Sequence, residues 1–132
     1  TVYRAMAFGV VLTVLVQSSS ITTSTIVPLA GAGVLTLKQI FPFTLGANIG
    51  TTVTGLLAAM VLNPTAMIVA FSHLMFNILG ILVIYPIRFL RNIPINAATK
   101  LAEIAIKNKF LPILYLIFVF ILIPLLIIIA GG

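Results

Sequence analysis

The chain has 132 residues, 62% hydrophobic and 6% charged, with a mean hydropathy of +1.36 and a net charge of +6 from seven Lys and Arg against one acidic residue. An ordinary soluble domain is about one-quarter charged, so this composition excludes the soluble globular class and indicates an all-α integral membrane chain. The lack of cysteine closes disulfide, thiolate-metal and cysteine-nucleophile chemistry. The cations Arg4, Lys38, Arg88, Arg91, Lys100, Lys107 and Lys109 stand at the edges of apolar runs and in one linker, where they set topology against an anionic lipid surface; no nucleic-acid partner is expected.

The first region, Ala5 to Leu37, carries no charge and is too long for one ordinary span. Read as two helices meeting at Gln17-Ser18-Ser19-Ser20, each arm has about 14 to 17 residues, or roughly 21 to 26 Å, short of a bilayer crossing. The pattern predicts a re-entrant helical hairpin over residues 5–37 with its tip inside protein. The next segment, residues 39–61, contains FTLGANIGTTVTGLLAAMV, long enough to cross but interrupted by Gly46, Gly50 and Gly55 among Asn48, Thr51, Thr52 and Thr54. Glycine weakens a helix and Asn and Thr compete for its backbone, so a membrane helix broken around Asn48 to Thr51 is expected. Asn63-Pro64 is a turn signal.

Residues 65–87 and 110–130 each exceed the roughly 20 residues of a membrane-spanning helix, with a kink expected at Pro124. Between them, residues 88–109 hold Arg88, Arg91, Lys100, Lys107 and Lys109, which makes this linker cytoplasmic; its AATKLAEIAIK stretch suits a short amphipathic surface helix. With the linker inside and the first region entering and leaving by one face, Arg4 and Lys38 also fall inside, so the hairpin puts every Lys and Arg on one side.

At the hairpin tip, Gln17 and Ser18 to Ser20 can cap backbone groups that lipid cannot satisfy, a purely structural role. Equally, the start of the second arm presents amides to an anion, and oxygen donors around the break can replace water around sodium, with Asn48, Thr51, Thr52 and Thr54 as a second donor set. His73 and Asn77, four apart on one helix face, suit a mutual hydrogen bond or a bond from His73 to a hairpin carbonyl, with a proton or phosphate role for His73 in transport as the competing reading. Gly31, Gly33, Gly46, Gly50 and Gly80 suit close helix contacts. Glu103 has no companion for a metal site, and no nucleophile-base-acid set is present, so the chain is read as a non-enzyme without a cofactor.

The run QSSSITTSTIVPLAGAGVLTLKQIFPFTLGANIGTTVTGLLAA, followed by HLMFN, YPI and YLIFVFILIPLL, resembles the second half of the type II sodium-dependent phosphate cotransporters. The resemblance covers nearly the whole chain and is specific in combining QSSS with GANIGTTVT. It implies one half of an inverted-repeat transporter with inorganic phosphate as substrate and sodium as the coupling ion. It matches Gln17, Ser18, Ser19 and Ser20 to the hairpin motif, and Asn48, Thr51 and Thr54 to the polar stretch after it; Ala47 stands where some relatives carry serine. The substrate candidates are Ser18, Ser19, Ser20 and Asn48, and the sodium candidates Gln17, Ser18, Asn48, Thr51 and Thr54. One QSSS and one GANIGTT imply a complementary half, or the remainder of a longer polypeptide, as partner within the lipid bilayer of the cell membrane. The function expected is a half of a sodium-coupled phosphate symporter working by alternating access; a non-transporting scaffold segment or an ion-channel subunit are the competing readings.

Overall fold

The computed structural model describes residues 1–131, and the described residues are helical with short connections. They divide into two units, residues 1–92 and residues 93–131. Within the first lie α1 (Val2–Val16), α2 (Ser19–Gly31), α3 (Leu37–Ala59) and α4 (Pro64–Ile84); α5 (Arg88–Lys107) begins in the first unit and continues into the second, which also holds α6 (Phe110–Ile117), a π-helical turn (Phe118–Leu122) and α7 (Ile123–Gly131).

The first break falls where the sequence places it. Gln17 adopts the left-handed conformation (φ 57°, ψ 25°) and its amide closes α1 on the Thr13 carbonyl at 2.7 Å, while Ser18 is extended and caps α2 by accepting from the Ile21 amide at 3.3 Å. A left-handed residue followed by an extended one reverses the chain without a longer loop; Gln17 is the only non-glycine residue with positive φ among the described residues.

Contacts of α1 with α3 set the direction of each helix. Glycines on α3 meet α1 with no room for a side chain: a Cβ on Gly46 would collide with the Met6 carbonyl oxygen, and one on Gly50 would lie 2.6 Å from the Thr13 Cβ. From the other side, a Cβ on Gly9 would collide with the Phe43 carbonyl oxygen and sit 2.9 Å from the Ala47 nitrogen. Residues 6 to 13 thus advance along residues 43 to 50 in the same sense, so α1 and α3 run parallel, joined by small residues that let the backbones approach. Phe8 and Phe43 add a tilted ring pair at 6.0 Å. The intervening α2 carries the chain back: Thr1, Val2, Ala5 and Phe8 of the first arm, Ile26 and Leu29 of the second, and Lys38 at the start of α3 line one cavity of about 380 Å³.

The expectation of a broken helix over residues 39–61 is corrected: α3 is one continuous helix of 23 residues through Asn48 to Thr51. Its threonines do not unmake the ladder but join it, Thr51 donating to the Ala47 carbonyl at 3.2 Å, Thr52 to Ile49 at 2.7 Å and Thr54 to Thr51 at 2.8 Å. Gly46 and Gly50 are occupied by close packing rather than by a bend. Of the other glycines expected at helix contacts, Gly31 and Gly80 meet nothing within 4 Å, and Gly33 (φ +73°) instead serves the turn after α2.

Asn63 caps α4 by accepting from the Ala66 amide at 2.8 Å, with Pro64 in the first turn, where its missing donor costs little. Phe41 of α3 stacks on Tyr85 at the end of α4 (6.4 Å, 16°), and the Arg91 guanidinium lies 5.0 Å from the Tyr85 ring centre. In the second unit the irregularity expected at Pro124 is a π-helical turn just before it, in which the Ile123 amide reaches back to the Phe118 carbonyl; widening the turn accommodates a residue that cannot donate to the carbonyl four positions earlier. Among the described residues three helices are long and apolar enough to cross a membrane, Leu37–Ala59, Pro64–Ile84 and Phe110–Gly131, so the chain is a multi-pass membrane protein by length and composition.

Candidate functional site at the hairpin tip

Because α1 and α3 run parallel, the reversal at Gln17 and Ser18 arrives beside the second half of α3. Gln17, Thr51, Thr54 and Gly55, with Val14, Leu57 and Ala58, line one open cleft of about 550 Å³. Three of the sodium candidates, Gln17, Thr51 and Thr54, thus meet from two elements more than thirty positions apart in sequence. Ser18, Ser19 and Ser20 follow Gln17 in sequence as the cap and first turn of α2 but do not line the cleft, and neither does Asn48, whose carbonyl accepts a long bond, 3.5 Å, from the Asn77 side-chain amide of α4.

Hydrogen bonding separates the oxygens by what they have left to offer. Thr51 and Thr54 donate their single protons inside α3, so what remains on each hydroxyl is lone pairs, suited to a cation. Ser18 is the reverse case, because its oxygen accepts from the Ile21 amide and its proton is left to donate, suited to an anion. Ser19 and Ser20 occupy the first turn of α2, where the amides carry the partial positive charge of a helix start; the bonds that engage these two residues fall on their carbonyls, which accept from the Thr23 hydroxyl at 2.8 and 3.2 Å.

Two residues that the sequence reading did not single out stand on either side of this tip. Thr13 and Thr22 are fully buried, and neither hydroxyl has a hydrogen-bond partner among the described residues. Thr13 is the amide-bonding partner of Gln17 through its carbonyl and packs against Gly50. The signal in sequence was the four-residue spacing of Gly9 and Thr13 opposite the same spacing of Gly46 and Gly50, the pattern of a close membrane helix pair.

His73 is corrected. It bonds neither Asn77 nor the hairpin but lines a separate cleft of about 570 Å³ with Gly55, Ala58 and Ala59 of α3 and Val69 and Ala70 of α4; Asn77 is turned to Asn48 instead. Arg91 is engaged by the Tyr85 ring and, at 3.5 Å, by the Tyr85 carbonyl. No group of three or more metal-ligating His, Cys, Asp or Glu side chains occurs among the described residues.

No solved structure matches the chain. Among curated proteins, it is 46% identical over 129 residues to the sodium-dependent phosphate transport protein 2B of Homo sapiens, covering 95% of this chain and 19% of that protein. It is 45% identical over 130 residues to the 2B protein of Bos taurus, covering 95% and 18%, and 42% identical over 132 residues to the sodium-dependent phosphate transport protein 2A of Oryctolagus cuniculus, covering 96% and 20%. The chain therefore spans about one fifth of the length of these relatives, as the 18% to 20% coverage states. The Na+/Pi-cotransporter family model matches residues 1–126, nearly the whole chain, and the chain therefore belongs to the Na+/Pi-cotransporter family.

Proposed function

We propose that this chain supplies one half of a sodium-coupled inorganic phosphate symporter of the cell membrane that works by alternating access, its complement being a second half or the remainder of a longer polypeptide. The observation that carries the reading is the convergence of Gln17, Thr51 and Thr54 on one cleft beside the start of α2. The relatives' names, sodium-dependent phosphate transport proteins, support these two solutes; the hydrogen bonds already made by the Ser18, Thr51 and Thr54 hydroxyls support a division of labour between them. Sodium is held by the Gln17 amide oxygen and the Thr51 and Thr54 hydroxyls, whose protons are already committed within α3. Phosphate is met by the Ser18 hydroxyl and the Ser19 and Ser20 groups at the start of α2, where helix amides favour negative charge. Asn48, outside the cleft, acts from α3 on the phosphate side through the half that faces it.

The hairpin is re-entrant in this reading. Its tip meets α3 at Thr51 to Thr54, which lie about 14 to 17 residues from Leu37 and so roughly 21 to 26 Å along the helix, inside a hydrocarbon core of about 30 Å. Irregular backbone at that depth requires protein or a water-filled cavity around it, which the complementary half provides. The linker of residues 88–109 faces the cytoplasm on the strength of its cations.

Initial phosphate uptake in liposomes holding both halves tests the assignment, titrating sodium and phosphate separately. Thr51→Ala and Thr54→Ala should raise the sodium requirement on the order of tenfold, and Ser19→Ala and Ser20→Ala the phosphate requirement by a similar factor, the worth of one polar contact of about 1 to 2 kcal/mol. Well-inserted variants with unchanged dependence on both solutes would return the tip to a capping role, and sodium conductance without phosphate uptake would make the protein a channel.

A further inference from the structure

The second unit contains an apolar helix face for which the chain's own charges specify a partner. From Ile93 to Lys107, α5 places Ile93, Ala97, Leu101 and Ile104 at spacings of four, four and three, one stripe of an α-helix. Ile93 and Ile104 on that stripe are 51% and 42% exposed. Lys100 and Lys107, seven apart, border the stripe on one side, with Asn96, Glu103 and Thr99 further round on the polar arc, which the 85% exposed Ile106 adjoins; Lys109 stands two residues beyond the helix end. The chain leaves one membrane-length helix at Ile84 and enters the next at Phe110, so α5 cannot travel far from the bilayer surface.

We infer that the Ile93–Lys107 part of α5 lies in the headgroup zone of the membrane with its apolar stripe in the acyl boundary, and that Lys100, Lys107 and Lys109 bind anionic phospholipid headgroups there. Lysines bordering such a stripe extend their methylene stems along the acyl surface and deliver the ammonium to the phosphates, an arrangement a neutral bilayer would not reward. The same three cations also explain why the occupant is lipid surface and not an apolar protein face, which would leave them desolvated without counter-charge. Nothing in this inference depends on what the cleft at the hairpin tip binds.

The whole chain, which has no native cysteine, is reconstituted in nanodiscs of phosphatidylcholine alone or with phosphatidylglycerol, carrying a nitroxide at Ile104→Cys on the stripe or at Thr99→Cys on the polar face. The ratio of lipid-immersed to water-exposed label at position 104 should rise with phosphatidylglycerol by about fivefold per lysine, from about 1 kcal/mol for each cation near an anionic surface, while position 99 stays in water. Replacing all three lysines with glutamine should abolish the rise, and replacing them with arginine should preserve it. Equal immersion in both lipids, a rise that survives the glutamine variant, loss of the rise in the arginine variant, or an Ile104 label immobilised without regard to lipid, as a protein partner would produce, each overturns the inference.

Discussion

Replacing Gly50 with alanine should separate the two helices that frame the cleft. The added Cβ would lie 2.6 Å from the Thr13 Cβ and 3.0 Å from its Cγ2, and 2.9 Å from the Val10 carbonyl oxygen, against an optimal carbon separation of about 3.5 to 4.0 Å. Thr13 is a buried β-branched residue on a helix with little rotameric freedom, and Val10 contributes backbone, so neither yields by swinging aside. Relief requires α1 and α3 to part by about 1 Å. Forced overpacking of this kind costs about 1 to 3 kcal/mol, while alanine returns up to about 1 kcal/mol of helix propensity over glycine. Gly55→Ala in the same helix collects the second effect without the first, since nothing stands within 4 Å of its Cβ position. The difference in unfolding free energy between the two variants therefore isolates the steric cost at about 1 to 3 kcal/mol, measured by circular dichroism during titration of detergent-solubilised protein with a denaturing detergent. Variants of equal stability would show that α1 and α3 are not in backbone contact at Gly50. Separation of the helices also moves Thr51 and Thr54 away from Gln17, so Gly50→Ala should weaken sodium dependence of uptake although the added methyl meets Thr13 and Val10 first.

The hairpin reading predicts that single cysteines at Arg4→Cys and Lys38→Cys react with a membrane-impermeant thiol reagent from the same side of sealed vesicles; labelling from opposite sides would make Ala5 to Leu37 a crossing. The orphaned hydroxyls of Thr13 and Thr22 predict that Thr13→Val or Thr22→Val stabilises the isolated chain by about 1 kcal/mol, because an unsatisfied buried polar group is removed at nearly constant shape. A loss of stability in the same unfolding titration would mean that each hydroxyl has a partner and that the burial is not uncompensated.

Much of the architecture could be read from local rules. Gln17 to Ser20 interrupts an uncharged stretch in which neither arm alone reaches across a bilayer, and Asn63-Pro64 starts a helix through a cap and a proline that act within one turn. The long apolar runs after Pro64 and Phe110 need nothing beyond their length. The same local rules erred at α3, because propensity weighs Gly46, Gly50 and the threonines as weak points, whereas α1 supplies the packing that turns those glycines into contacts. The threonine hydroxyls found carbonyls within the helix, an outcome that spacing alone leaves open, since the same hydroxyl can support or unseat the ladder. His73 and Asn77 share a face by their spacing, yet which neighbour each meets was decided by how α4 lies on α3. The sequence by itself determined a multi-pass helical membrane chain with a break at Gln17 and Ser18, because chain length against bilayer thickness and the chemistry of caps are properties of a segment. Only the tertiary structure decided that α1 and α3 run parallel and bring Gln17 to Thr51 and Thr54, because that meeting depends on backbones approaching at Gly9, Gly46 and Gly50, a long-range complementarity that no single segment contains.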